Sequence, residues 1–220
     1  MEKKKSLSSN IKKEKLLKNK LKNKDWAEKL RKATGKTIDS TTRPKIKFGQ
    51  VYLLIDCSGS MYGDKIEQAK NGALGFADEA LSKNYSVGVI TFSSKANHLL
   101  EPEKSMHNIK AAIEKFTASG STNMTAAIKI ATQNLEDRFG EKLICIVTDG
   151  MPDNKKSALK AAETAKQKGI EIMTIGTDDA DKKFLEQLAT KKELSVKVER
   201  SNLGKGITDM ARLLPNPKRR

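Results

Sequence analysis

Val51-Tyr52-Leu53-Leu54-Ile55-Asp56-Cys57-Ser58-Gly59-Ser60-Met61 decides the reading of this chain. Five apolar residues, two of them β-branched, end in a carboxylate that is followed by hydroxyls at alternate positions. An unbroken apolar run of this length suits a strand buried on both faces of a parallel sheet. Asp56, Ser58 and Ser60 then fall where the strand gives way to a loop, at the edge where open α/β sheets bind ligands. One carboxylate and two hydroxyls are hard oxygen donors, a set that suits Mg²⁺ or Mn²⁺ and suits zinc or copper poorly.

Two later segments extend this pattern. Gly120-Ser121-Thr122-Asn123 is a G-x-T turn just ahead of a helical pattern, and Leu143-Ile144-Cys145-Ile146-Val147-Thr148-Asp149-Gly150 is a second apolar run ending in T-D-G. Together with D-x-S-x-S, and in this chain order, they resemble the metal-ion-dependent adhesion site of von Willebrand factor A domains. The resemblance runs from about residue 48 to 214. It implies Asp56, Ser58, Ser60, Thr122 and Asp149 as the metal residues. Ser58 and Ser60 would ligate through their hydroxyls, Asp56 and Asp149 would act through water or hold the shell, and Thr122 would alternate between direct and indirect contact. With so few direct carboxylates the ion keeps most of its charge and draws in a partner's Asp or Glu. A dense carboxylate cage neutralises its ion and seeks no outside anion.

Each residue alone has a plainer reading. Asp56 suits a turn cap, and Ser58 or Ser60 suit donors of that turn. Thr122 or Asn123 suits the N-cap of the helix that follows, and Asp149-Gly150 suits an ordinary turn. Asp153 is expected to cap a helix over 155–168 rather than to rim the site. Met61, Tyr62, Asn123, Met124, Met151 and Pro152 flank the three loops, with Phe92 and Ser93-Ser94 close by. They read equally as a partly apolar contact rim or, for the methionines, as core.

After Phe48 strand and helix patterns alternate: strand 51–55, helix 64–83, strand 85–92, a short antiparallel strand 96–100, helix 105–116, helix 123–136 and strand 142–148. Then come helix 155–168, strand 170–175, helix 180–190, a weak strand near 194–198 and a helix from 203 to 213. This order predicts an α/β fold, a three-layer open and mostly parallel sheet with helices on both faces.

The charge is uneven. The chain of 220 residues has a formal net charge of +16, yet residues 1–50 alone hold 17 basic and 5 acidic side chains. Lys218, Arg219 and Arg220 add three more positive charges, which leaves the stretch between close to neutral. Residues 1–47 therefore read as a Lys-rich basic arm, either an amphipathic helix over 12–32 or a solvated tail. Residues 48–214 read as the domain and 215–220 as a basic end. No apolar stretch reaches membrane-spanning length and no apolar core follows the first lysines. Cys57 and Cys145 read as buried thiols of a reducing compartment, so the expected location is cytoplasmic.

No catalytic set emerges. Gly35-Lys36-Thr37 ends like a phosphate loop, but Leu30 stands where its first glycine belongs. His98 and His107 lie away from the strand ends that would carry a hydrolase base. The expectation is a non-enzymatic, metal-dependent protein-interaction module. Its relatives imply systems built around AAA+ or chelatase-type ATPases, or tellurite-resistance assemblies, with the oligomeric state open. The alternative is nucleic-acid binding through the arm, where Trp26 could stack on a base and the lysines could engage phosphates or another anionic surface.

Overall fold

The structure, a computed structural model, describes residues 48–178 and 180–217. The basic arm with Trp26, and Lys218 to Arg220, lie outside the described residues.

Six strands form one sheet in the order β3-β2-β1-β4-β5-β6. They are β1 (Gly49–Asp56), β2 (Tyr85–Phe92), β3 (Ala96–Glu103), β4 (Glu141–Thr148), β5 (Glu171–Gly176) and β6 (Ser195–Lys197). All neighbours run parallel except β2 and β3. The helices are α1 (Asp64–Ser82), α2 (Met106–Ile113), α3 (Met124–Leu135), α4 (Lys155–Gln167), α5 (Lys182–Leu188) and α6 (Leu203–Met210). None among the described residues is long and apolar enough to cross a membrane.

Strand alternation sorts the core into two halves. Val51, Leu53 and Ile55 of β1, with Cys145 and Val147 of β4, face the side covered by α1, α2 and α6. Tyr52 and Leu54, with Ile144 and Ile146, face α3, α4 and α5. Every residue of β1 is buried, as its unbroken apolar run requires. The two tyrosines of the sheet are seated on glycines: Gly88 pairs with Tyr52 and Gly49 with Tyr85. A Cβ on Gly88 would stand 2.4 Å from the Tyr52 ring. Each ring also keeps a polar partner, Tyr52 Oη with His98 Nε2 at 2.8 Å and Tyr85 Oη donating to the Pro215 carbonyl at 2.7 Å.

The antiparallel strand β3 is longer than its sequence suggests. It continues through Pro102 to Glu103, with irregular register against β2. A proline has no N–H for a ladder, but β3 lies at the sheet edge, where that loss is tolerated. Helix α6 ends at Met210, and the chain closes in a 3₁₀ turn over Ala211–Leu213.

The strand order reverses at β1, which pairs with β2 on one side and β4 on the other. Loops leaving the carboxyl ends of β1 and β4 therefore part and leave a crevice, the usual ligand position of open α/β sheets.

Candidate metal centre

The three sequence segments meet at that crevice. Beyond β1 the chain turns through a 3₁₀ segment, Gly59–Met61, that presents Ser58 and Ser60 on one side. Their hydroxyl oxygens lie 3.0 Å apart. Ser60 Oγ also donates to Asp149 Oδ1 at 2.8 Å, 89 residues away at the end of β4. Three oxygens thus converge at separations close to the edge of a Mg²⁺ oxygen octahedron, about 2.9 Å. The donor set is hard and hydroxyl-rich, so the residues present fit a divalent cation of the Mg²⁺ or Mn²⁺ type.

Asp56 is fully buried and supports the centre from beneath. Its Oδ1 accepts from the Ser58 amide at 2.8 Å and its Oδ2 from Thr148 Oγ1 at 2.6 Å. Burial pushes its carboxyl up to about 6, opposed by the hydrogen bonds from Thr148 and Ser58 and assisted by the nearby Asp149 charge.

Thr122 is placed by its backbone. Its amide donates to Asp153 Oδ1 at 2.9 Å, and its carbonyl accepts from the amides of Asp153 and Met124. Ser121 Oγ donates to Asp153 Oδ2 at 2.9 Å, while the Ser121 amide donates to Ser94 Oγ at 3.0 Å. The same loop is joined to the β1 turn by Ser119 N–H to Cys57 C=O at 2.8 Å and Gly59 N–H to Gly120 C=O at 3.0 Å. Ser58, Ser60 and Asp149 are therefore linked through side chains, and Asp56 joins them through the Ser58 amide. Thr122 stands on an adjacent loop whose position Asp153 fixes.

This corrects the capping reading of Asp153. Asn154, one residue on, caps α4 by accepting from the Ser157 amide at 2.9 Å. Asn123 does cap α3, at Ala126. The expected rim divides as well: Met61 and Met124 are fully buried in opposite core halves, and Pro152 and Phe92 are buried too. Tyr62, 82% exposed, and Met151, 38% exposed, remain at the surface. Tyr62 borders a shallow cavity of about 430 Å³ formed with Ile66, Lys70, Phe116 and Ala118.

Lys65 was not singled out in the sequence. It stands in the first turn of α1, only 7% exposed, with Nζ on Asp149 Oδ2 and 3.0 Å from Asp178 Oδ2. Burial pulls its ammonium down, but hydrogen bonds to Asp149 and Asp178 outweigh it and leave the group above its ordinary value. Asp178 in turn accepts from Arg200 Nε at 3.0 Å and Nη2 at 2.9 Å. Arg200 and then Lys65 hold the Asp178 carboxyl below the usual carboxylate range.

Cys57 and Cys145 are free and buried. Cys145 is in register with Leu53, four residues before Cys57, an offset of roughly 13 Å along a strand. That separation is too great for a disulfide. Burial pushes both thiols up to about 12.

Comparison with known proteins agrees with this fold. The family described as von Willebrand factor type A domain matches residues 50–210. A UPF0353 protein of Mycobacterium ulcerans is 34% identical over an alignment of 145 residues that covers 57% of this chain and 43% of that protein. The chain thus spans less than half the length of the curated relatives it matches. Among solved structures, the vWF domain of the type V pili tip protein Mfa5 from Porphyromonas gingivalis superposes with a TM-score of 0.68 at 14% identity. That match covers 76% of this chain and 94% of the pilus domain. Proximal thread matrix protein 1 from the mussel byssus, described with a zinc occupied MIDAS motif, has a TM-score of 0.66 at 21% identity. There the match covers 79% of this chain and 48% of the mussel chain. At these identities the structural likeness speaks for the fold alone.

Proposed function

The chain belongs to the von Willebrand factor type A domain family, and from that premise we propose that it is a non-enzymatic, metal-dependent protein-interaction module. Ser58, Ser60 and Asp149 would hold Mg²⁺ or Mn²⁺, with Asp56 and Thr148 supporting them and Thr122 beside them. The observation that carries this reading is the approach of Ser58 Oγ, Ser60 Oγ and Asp149 Oδ1 to octahedral edge distances.

A bound divalent ion supplies positive charge that is only partly neutralised and attracts a carboxylate. The chain's own residues do the rest. Hydroxyl donors add no negative charge, Asp56 is held by Thr148 and the Ser58 amide, and exposed Tyr62 and Met151 offer apolar area beside the crevice. Aromatic residues and methionine are enriched at protein interfaces, which suits Tyr62 and Met151 to contact a partner. The partner is accordingly a protein that presents an Asp or Glu; the family resemblance implies an assembly of the AAA+ or chelatase-associated or tellurite-resistance-like type.

A pull-down with Mg²⁺ or EDTA tests this, using the full chain, Asp149→Ala and a chain lacking residues 1–47. The proposal expects a protein partner that is lost with EDTA and with Asp149→Ala but retained without the arm. Nucleic acid that survives EDTA and disappears with the arm would replace it with the second reading, which the 17 basic residues of the first 50 favour.

A further inference from the structure

Lys65 is placed oddly for a helix-surface lysine. Lysines are rarely buried unless paired, and this one is shared between two carboxylates from different loops. Asp149 belongs to the metal centre, and Asp178 lies beyond β5, outside the oxygen cluster. Asp149 divides its own oxygens, Oδ1 toward Ser60 and Oδ2 toward the Lys65 ammonium. A fixed positive charge thus lies one carboxylate away from the position assigned to the divalent ion.

Asp178 is also unusual. It adopts φ +48°, a left-handed conformation uncommon for a residue other than glycine. In that conformation its carboxylate reaches Lys65 at 3.0 Å and Arg200 at 2.9 Å. The result is a continuous alternation of charge, Asp149–Lys65–Asp178–Arg200, from the crevice to the 3₁₀ turn Arg200–Asn202 ahead of α6.

We propose that Lys65 is an internal competitor of the metal ion: it sets the divalent affinity of the centre, and Asp178 weakens that competition by sharing the ammonium with Asp149 and offsetting its charge. This rests on the metal reading given above. Charges of like sign at such short range repel strongly where water is largely excluded. Replacing Lys65 by a neutral side chain of similar length leaves Asp149 to the ion alone, and removing the Asp178 charge leaves the ammonium uncompensated beside Asp149. The two changes act in opposite directions, which a scaffolding role for Lys65 does not produce.

Titration of free Mn²⁺ by electron paramagnetic resonance, with the full chain, tests this in wild type, Lys65→Met, Asp178→Asn and the double variant. Lys65→Met is expected to bind Mn²⁺ roughly tenfold or more tightly. Its melting temperature should fall below wild type in EDTA and recover with Mn²⁺, because the buried Asp149 charge then regains a partner. Asp178→Asn should bind several-fold more weakly, by about threefold or more. In the Lys65→Met background it should change nothing, the signature of coupling through Lys65.

Equal or weaker binding by Lys65→Met overturns the proposal. So does unchanged or tighter binding by Asp178→Asn, which decides the matter alone if Lys65→Met does not fold. Normal wild-type binding with unaltered variants defeats this inference only, whereas a wild type that takes up no divalent ion defeats the metal reading and this inference with it.

Discussion

Thr148 and Asp56 meet across the β1–β4 pair, with Thr148 Oγ1 donating to Asp56 Oδ2 at 2.6 Å where both residues are fully buried. The bond joins the ends of the two central strands beneath the crevice and occupies the Asp56 oxygen that the Ser58 amide leaves free. Thr148→Val keeps the β-branched shape and removes the donor. Stability should fall by about 1–3 kcal/mol in EDTA, since a buried carboxylate loses a partner. Urea unfolding with and without Mn²⁺ measures the loss, and an unchanged midpoint would mean the bond adds nothing.

Asp153 holds the Ser121-Thr122 loop against the loop after β4 through three hydrogen bonds, two of them to its carboxylate. Asp153→Ala should cost little global stability, about 1 kcal/mol or less, because the group is at the surface. Divalent affinity should drop all the same, as Thr122 loses its position beside the centre. Hydrogen exchange at the Thr122 amide should quicken in the same variant. Slow exchange there would place the loop's support elsewhere.

Helices α1 and α6 touch through glycine. A Cβ on Gly72 would lie 2.6 Å from the Gly204 carbonyl oxygen and 2.8 Å from Ile207 Cβ, where backbone cannot yield cheaply. Gly72→Ala should therefore destabilise by about 1–3 kcal/mol, despite alanine's better helix propensity. A thermal melt reads this directly, and a raised midpoint would show that α6 is free to shift.

The thiols give a pH test. Cys57 and Cys145 are held at about 12 in the fold, against roughly 8.5 when unfolded. Between those values the unfolded chain releases protons that the folded chain keeps. Their contribution is fully present below about pH 8.5 and is lost as pH rises toward 12. At pH 8 a disulfide reagent such as DTNB should leave native protein unmodified and titrate both thiols after unfolding. Rapid native reaction at either cysteine would contradict its burial.

The central strands and three of the loops were legible because their signals are local. β1 and β4 declare themselves by unbroken apolar runs, and Asn123 caps the helix that its position suggests. Lys65 had no such signal. Between Asp64 and Ile66 it reads as an ordinary solvated lysine of an amphipathic helix, and its burial depends on Asp149, 84 residues away. Asp153 misled because capping by Asp and by the adjacent Asn look alike in sequence, and only the approach of the Thr122 loop distinguishes them. Met61, in the 3₁₀ turn, and Met124, the first residue of α3, flank the site in sequence yet turn into the core, since the end of a short element gives too little periodicity from which to read direction. The sequence pattern ends β3 at Leu100, whereas the strand runs on to Glu103 through Pro102, a proline whose missing N–H costs little on an edge strand.

The central claim is that Ser58, Ser60 and Asp149 hold one divalent ion. Mn²⁺ titration of the full chain followed by electron paramagnetic resonance, repeated with Ser58→Ala combined with Ser60→Ala, tests it most directly. One ion per chain in wild type, lost in the double variant while far-ultraviolet circular dichroism stays unchanged, is the predicted result. A wild type that binds no Mn²⁺, or a double variant that binds it equally well, would contradict the claim.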